Sequence, residues 1–260
     1  LDMSLIKTDK EIDLMRKGGV ILSAALDAAQ KAVKPGVRIS ELDAIAEAEL
    51  LKRGATPSFK HYQSTPSDTP FPSTVCVSVN EEVVHGLGNR ERVLEEGDVV
   101  GLDMGCWYEG LCTDMAITVP VGEVSEKARH RMKITKESLI KGIEAAKSGG
   151  QLSDISKAIE QHIAPHKYGI VQALGGHGVG HAVHEPPFIP NFTSEQFKDL
   201  PLEQGMCLAL EPMVGLGECH IKTADDGWAV AMEDCEISAH FEVTIVIRDE
   251  GTEILTPLPV

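Results

Sequence analysis

A chain of 260 residues, 42% hydrophobic and 25% charged, can bury a substantial core and has the balance of a water-soluble globular protein. Its formal charge, 24 − 40 = −16, argues against bulk binding to nucleic-acid phosphates or to anionic membrane surfaces. No apolar run approaches the roughly 20 residues that span a bilayer, and no apolar signal-peptide core precedes the first helix; Met3 reads as the natural start.

The six cysteines (Cys76, Cys106, Cys112, Cys207, Cys219, Cys235) show no paired spacing and are expected as free thiols in a reducing cytosol. Thr8-Asp9-Lys10-Glu11 is a capping box. Apolar residues follow at helical spacing from Ile12 to Ala25, and Pro35-Gly36 stops the helix. A second helix is expected after Ser40 as N-cap, with Leu42, Ile45, Ala46, Leu50 and Leu51 inward, ending at Gly54. Residues 55–72, rich in Pro, Ser, Thr and Asp, predict a long loop, and loops of that length are usually functional or disordered.

A β-rich centre follows, with strands over 74–79, 83–85, 99–105 and 111–119, the last two joined by a turn near Tyr108-Glu109-Gly110. A turn about Tyr108/Glu109 puts Asp103 directly opposite Asp114, with Cβ atoms about 5 Å apart. Two carboxylates that close among apolar neighbours must share a proton or hold a cation. The alternative is a pair of turn-flanking aspartates facing water.

Helices return over 125–146 and 153–162. A shift of 113 residues lays Leu26 on Leu139, Ala32 on Ala145, Gly36 on Gly149, Ser40 on Ser153 and Glu47 on Glu160. That match predicts an internal duplication: two helix–helix–sheet halves, sheets side by side, helices outside and a site at the seam. Beyond Gly169 the chain is strand-like and punctuated by Gly, and no linker separates a second domain.

His177, His181 and His184 fall within eight residues. Gly176, Gly178 and Gly180 rule out a stable helix there; as a strand, His177 and His181 share one face and His184 lies on the other, unless a bulge intervenes. Glu211 ends an apolar strand, where a carboxylate is either paired or turned to solvent. Alternation puts His240, Glu242, Thr244 and Val246 on one face of the final strand, a face half-wet or lined with ligands. Together Asp103, Asp114, His177, Glu211 and Glu242 supply four carboxylates and one imidazole on strands or strand ends. Four carboxylates balance two divalent cations, and oxygen-rich ligation with one nitrogen suits Mn, Fe(II), Co or Zn. Such a centre lowers the pKa of a bridging water.

The motifs Pro35-Gly36, Cys76-Val-Ser-Val-Asn-Glu-Glu-Val-Val-His85-Gly, Gly97-Asp-Val-Val-Gly-Leu-Asp103, Asp114, Gly176-His177-Gly-Val-Gly, His184-Glu-Pro-Pro, Glu211-Pro-Met and Ser238-Ala-His-Phe-Glu242 together resemble the methionine aminopeptidases. The resemblance runs from about Ile6 to the C-terminus. It implies an α+β pita-bread fold: one catalytic domain over 1–260, made of two pseudo-twofold-related αβ halves (about 8–120 and 121–260) with a central antiparallel sheet and outer helices.

The resemblance also implies Asp103, Asp114, His177, Glu211 and Glu242 as ligands of a dinuclear metal centre, with Glu211 relaying a proton from the water to the leaving amine. It implies His85 and His184 as non-ligand histidines that contact the scissile amide and stabilise the tetrahedral intermediate. Phe71, Cys76 and Trp228 match positions that line the methionine pocket, where aromatic and sulfur contacts suit a thioether. The implied activity is removal of N-terminal methionine from nascent polypeptides by a cytoplasmic monomer that prefers small second residues, with ribosome docking left open.

Only 211 − 184 = 27 positions separate His184 from Glu211, too few for the helical insertion of type II members, so the chain resembles type I. Like bacterial-type members, it shows no N-terminal zinc-finger extension. Val243 stands where a His usually follows the last ligand, Val183 where an aromatic often closes the pocket, and Thr65 and Asp68 replace residues that often help form it. His181 is an additional histidine, expected behind the site or at its mouth. Two rivals remain. One is a proline-directed aminopeptidase P or prolidase on the same fold, normally with an extra N-terminal domain. The other is a pita-bread binding module without catalysis, a kind that loses ligands, whereas all five are present here.

Overall fold

A computed structural model describes residues 5–63, 65–216 and 219–259, so the reading of Met3 as the start lies outside the described residues. The capping box at Thr8 forms in full and opens helix α1 (Asp9–Ala32). Helix α2 (Ile39–Lys52) starts one residue before Ser40, and no side chain caps it. Its first amides donate to backbone instead, Ile39 to the Arg92 carbonyl and Ser40 to that of Arg90. Ile39, Leu42, Ala46 and Leu50 face inward at helical spacing. Ile45 and Leu51 fall off that stripe and are exposed, contrary to expectation.

The strands are β1 (Thr56–Pro57), β2 (Cys76–Val79), β3 (Glu82–Val84), β4 (Val99–Tyr108) and β5 (Leu111–Pro120), followed by helices α3 (Glu126–Ala145) and α4 (Leu152–Ile163). Next come β6 (Tyr168–Ile170), β7 (Gly176–Gly178), β8 (Glu185–Ile189), β9 (Cys207–Leu210) and β10 (Met213–Leu216). The chain closes with β11 (Ile221–Thr223), β12 (Val230–Met232), β13 (Ala239–His240), β14 (Glu242–Arg248) and β15 (Gly251–Ile254).

The main sheet runs β1-β4-β5-β14-β9-β7-β8, with β2 also on β4 and β15 also on β14. The pairs Leu210↔Val243 and Met213↔His240 keep one register, so β10 and β13 extend the β9–β14 pairing past Pro212 and Phe241. The β5–β14 contact joins two similar arrangements. β1 and β2 flank β4 on one side, as β6 and β7 flank β10 and β9 on the other. The helices obey the 113-residue offset as well: Ile39 and Leu152 each open a helix, and the residue before each makes an isolated bridge, Arg38 with Val93 and Gln151 with Pro201. The core between sheet and helices includes Leu22, Leu26, Leu42, Leu102, Leu139, Ile155 and Ile245. Burying aliphatic side chains of this size contributes about 1.5–3 kcal/mol each.

Candidate active site

Strand register brings the carboxylates together. Glu109 and Gly110, at φ 50° and 82°, make a two-residue turn between the paired Tyr108 and Leu111. A turn with positive φ at both central residues twists with its strands, which is why Gly suits the second position. It pairs Asp103 with Ala116 and Asp114 with Gly105. The two aspartates are therefore diagonal rather than directly opposite, because the turn lies one residue later than Tyr108/Glu109. They still share a face. Ala116 stands opposite Glu242, and Glu211, directly after Leu210↔Val243, falls beside Glu242 on the other edge. His177 pairs with Ala209, two residues before Glu211. One face of the sheet thus carries all five side chains.

Ligand atoms of Asp114, His177 and Glu242 lie within 4.8 Å of one another. His177 Nε2 is 3.5 Å from Glu211 Oε1 and 3.9 Å from Glu242 Oε1. Burial raises every carboxyl here: Asp114 to about 7, and Asp103, Glu211 and Glu242 well above the ordinary range, these three also repelled by neighbouring carboxylates. Asp103 Oδ1, Asp114 Oδ1 and Glu242 Oε1 are buried without hydrogen-bond partners. Orphaned buried carboxylate oxygens are costly unless a cation satisfies them. Oxygen donors with imidazole nitrogen fit a divalent metal.

His177 lies between two glycines because β7 is pressed between β8 and β9. A Cβ at Gly176 would sit 2.3 Å from the Ala209 carbonyl oxygen, and one at Gly178 2.2 Å from that of Pro186. The strand ends there, the chain reverses through Gly180 and returns as β8. This hairpin overturns the expected facing of the histidines. His184 joins His177, their rings edge-on at 4.6 Å, while His181 points away. His181 Nε2 is 2.8 Å from Glu11 Oε1, and its backbone N–H donates to Glu185. The buried Glu185 carboxylate also receives the Ala182 N–H and, at 2.6 Å, the Lys7 ammonium.

One cavity is lined by His85, Asp103, Asp114, His177, His184, Glu211, Glu242, Phe71, Cys76 and Trp228 together. His85 follows β3 with φ 59°, a left-handed conformation that His tolerates better than most residues. Burial pushes His85 down to about 4 and lowers His184 as well, so both rings are neutral at neutral pH. Phe71 and Trp228 meet edge to face at 5.2 Å, and Cys76 stands opposite Asp103. Burial, with Asp103 close by, pushes the Cys76 thiol well up, which keeps it neutral.

The departures noted in the sequence lie elsewhere. Val183 packs with Ile12 and Met15 beneath the glycine loop, and Val243 is buried between Leu210 and Met115. The Thr65 N–H donates to Asp68 Oδ2, and neither residue lines the cavity. Sequence reasoning missed Phe59 and Tyr62, which do line it. The Tyr62 hydroxyl lies 3.0 Å from His184 Nδ1. His240, placed by sequence only on the face of Glu242, turns its Nε2 toward both Glu211 and Glu242. The richness of residues 55–72 in turn formers was the one signal for Tyr62.

Residues 13–249 match metallopeptidase family M24. A methionine aminopeptidase of Clostridium perfringens is 44% identical over 255 residues, 98% of this chain and 99% of that protein. The crystal structure of methionine aminopeptidase from Thermotoga maritima superposes with a TM-score of 0.91 at 38% identity, covering 96% of this chain and 98% of that one. Prolidase from Pyrococcus furiosus gives 0.80 at 25% identity, covering 100% of this chain but 67% of its own. The α+β architecture is therefore the pita-bread fold these enzymes share. By profile, whole-length identity and fold alike, the chain belongs to metallopeptidase family M24 and, within it, to the methionine aminopeptidases.

Proposed function

We propose that this protein is a metal-dependent aminopeptidase of type I that hydrolyses N-terminal methionine from polypeptides. The observation that carries the reading is the convergence of four buried carboxylates and His177 beside an apolar wall containing Phe71 and Trp228. Two divalent cations held by Asp103, Asp114, His177, Glu211 and Glu242 would supply the charge that lowers the pKa of a water and polarises a carbonyl. The Phe71–Trp228 pair and Cys76 receive the methionine thioether. A free α-amine would bind beside these metal-holding side chains, which confines cleavage to the first residue. Glu211 accepts the proton of the attacking water and returns it to the leaving amine.

His85 and His184, both neutral, donate hydrogen bonds to the scissile amide and to the oxygen that gains charge. The Tyr62 hydroxyl lies 3.0 Å from His184 Nδ1; donation from that hydroxyl to Nδ1 would leave the proton of His184 on Nε2, facing the substrate. The same reading covers work on nascent chains, at the ribosome, by a cytosolic monomer with a preference for small second residues. The substrate class in the relatives' names, N-terminal methionine, supports the activity in that reading.

Assay of metal-loaded protein on Met-Ala-Ser and Ala-Pro-Ala peptides tests the reading. Methionine release is expected from the first. Exclusive turnover of the second would assign a prolidase-like activity instead. Glu211→Gln is expected to lower kcat by about 10²–10⁴-fold with the fold retained, the range for loss of a positioned acid–base group. Wild-type turnover by that variant would refute the assignment.

A further inference from the structure

We propose that His240 is a sixth ligand of this metal centre, adding a second imidazole across the Glu211–Glu242 pair from His177. The inference rests on the metal site described above. His240 Nε2 is 3.5 Å from Glu211 Oε2 and 3.9 Å from Glu242 Oε2. His177 Nε2 stands at the same two distances from the Oε1 atoms of the same two residues. Each carboxylate therefore turns one oxygen to each ring. Glu211, His240 and Glu242 form a second buried group with ligand atoms within 4.8 Å of one another, and Glu242 is common to both groups.

The ring nitrogen has no other use. His240 is 3% exposed, and its Nε2 is buried without a hydrogen-bond partner. A separation of 3.5 Å is too long for an N–H···O bond, whose usual range ends near about 3.2 Å. Donors sharing one ion are set about 3–3.5 Å apart by metal–ligand bonds of about 2.0–2.2 Å, so the spacing suits ligation better than a direct bond. Backbone geometry supports the same role. Met213↔His240 continues the register of Leu210↔Val243, and His240 lies two positions from Glu242, on the same face of the strand. A second nitrogen shifts the site's preference toward Fe(II), Co and Zn and away from Mn and Mg.

The test loads the metal-depleted full-length protein with Co(II) and with Mn(II), with calorimetry for affinity and pulsed EPR with ring-¹⁵N histidine to count coordinated imidazoles. Two imidazoles are expected in the wild type. His240→Gln is expected to lose one of them and to bind Co(II) at least about tenfold more weakly, with a smaller change for Mn(II). Metal uptake with a single coordinated imidazole in the wild type, or unchanged Co(II) affinity in His240→Gln, would overturn the sixth ligand and leave the five-ligand centre standing. No uptake by the wild type would remove both. The wild-type imidazole count decides the matter even if the variant does not fold.

Discussion

His85 and His184 share a cavity with His177, yet their surroundings differ, and so do the roles proposed for them. His177 faces two carboxylates, whereas His184 is held by a phenol and His85 by a kinked backbone beside β3. A neutral ring outside the ligand set can donate a hydrogen bond to developing negative charge, and loss of such a donor costs about 10²–10³ in rate. His85→Ala should therefore lower kcat by that factor while bound metal, measured by elemental analysis, stays constant. A parallel loss of metal would contradict the division of roles. At this scale the sequence was most legible where chemistry recurs on strands. Asp103, Asp114, Glu211 and Glu242 stand out because carboxylates in apolar, alternating segments need a reason to be there. Tyr62 did not stand out, because its loop has no periodicity from which a facing could be inferred. His240 was visible as a face-mate of Glu242, but its partner Glu211 lies on another strand.

At the scale of elements, the site depends on turns. The Glu109-Gly110 turn sets which residues of β4 and β5 face each other, and a shift of one turn residue would move each pairing by two positions. Gly110→Val places a β-branched side chain at φ 82°, which costs about 1–2 kcal/mol. The urea midpoint should fall accordingly, and metal affinity should fall with it if the strands slip. An unchanged midpoint would mean that the turn tolerates the side chain. Turn chemistry also marks where sequence reading ran short. A Gly-containing turn between two strands was evident, yet its centre was placed one residue early. The period-2 reading of 177–184 failed because a hairpin begins after Gly178, so alternation no longer applies. Helix α2 begins before Ser40 because neighbouring backbone caps it, and no side chain in the helix signals that.

The whole molecule places its charge problem at the seam between two similar halves. Asp103 and Asp114 come from one side, Glu211, Glu242 and His177 from the other, and Glu242 and Val243 pair with Ala116 and Met115 across it. Asp114 has a folded value of about 7 against an ordinary 3.8, so without metal the folded state binds a proton that the unfolded chain has released. A raised folded pKa contributes stability below the unfolded value, and that contribution is lost as pH rises through the folded one. Metal-stripped protein should therefore lose stability between about pH 4 and 7 through Asp114, and the other three carboxyls, raised by the same burial and mutual repulsion, add losses of the same sign. Added divalent metal replaces those protons, so its gain in Tm should be larger at pH 8 than at pH 5 in scanning calorimetry. Equal gains at both values would count against a carboxylate-held cation. The repeat behind this arrangement showed in the helices, whose starts at Ile39 and Leu152 keep the 113-residue offset. The β5–β14 pairing did not show, since nothing local specifies a contact between strands so distant in the chain.

The buried ion pair between Lys7 and Glu185 works as a latch. The residues ahead of α1 hold, through one carboxylate, the loop that presents His184 to the cavity. Cutting one partner out of such a pair costs about 3–5 kcal/mol, and here the loss falls on a loop rather than on the sheet. A version of the protein initiated downstream of Lys7 should keep its metal, since every candidate ligand remains, yet release methionine slowly. The start of the message would then control the working of the site without encoding any of it.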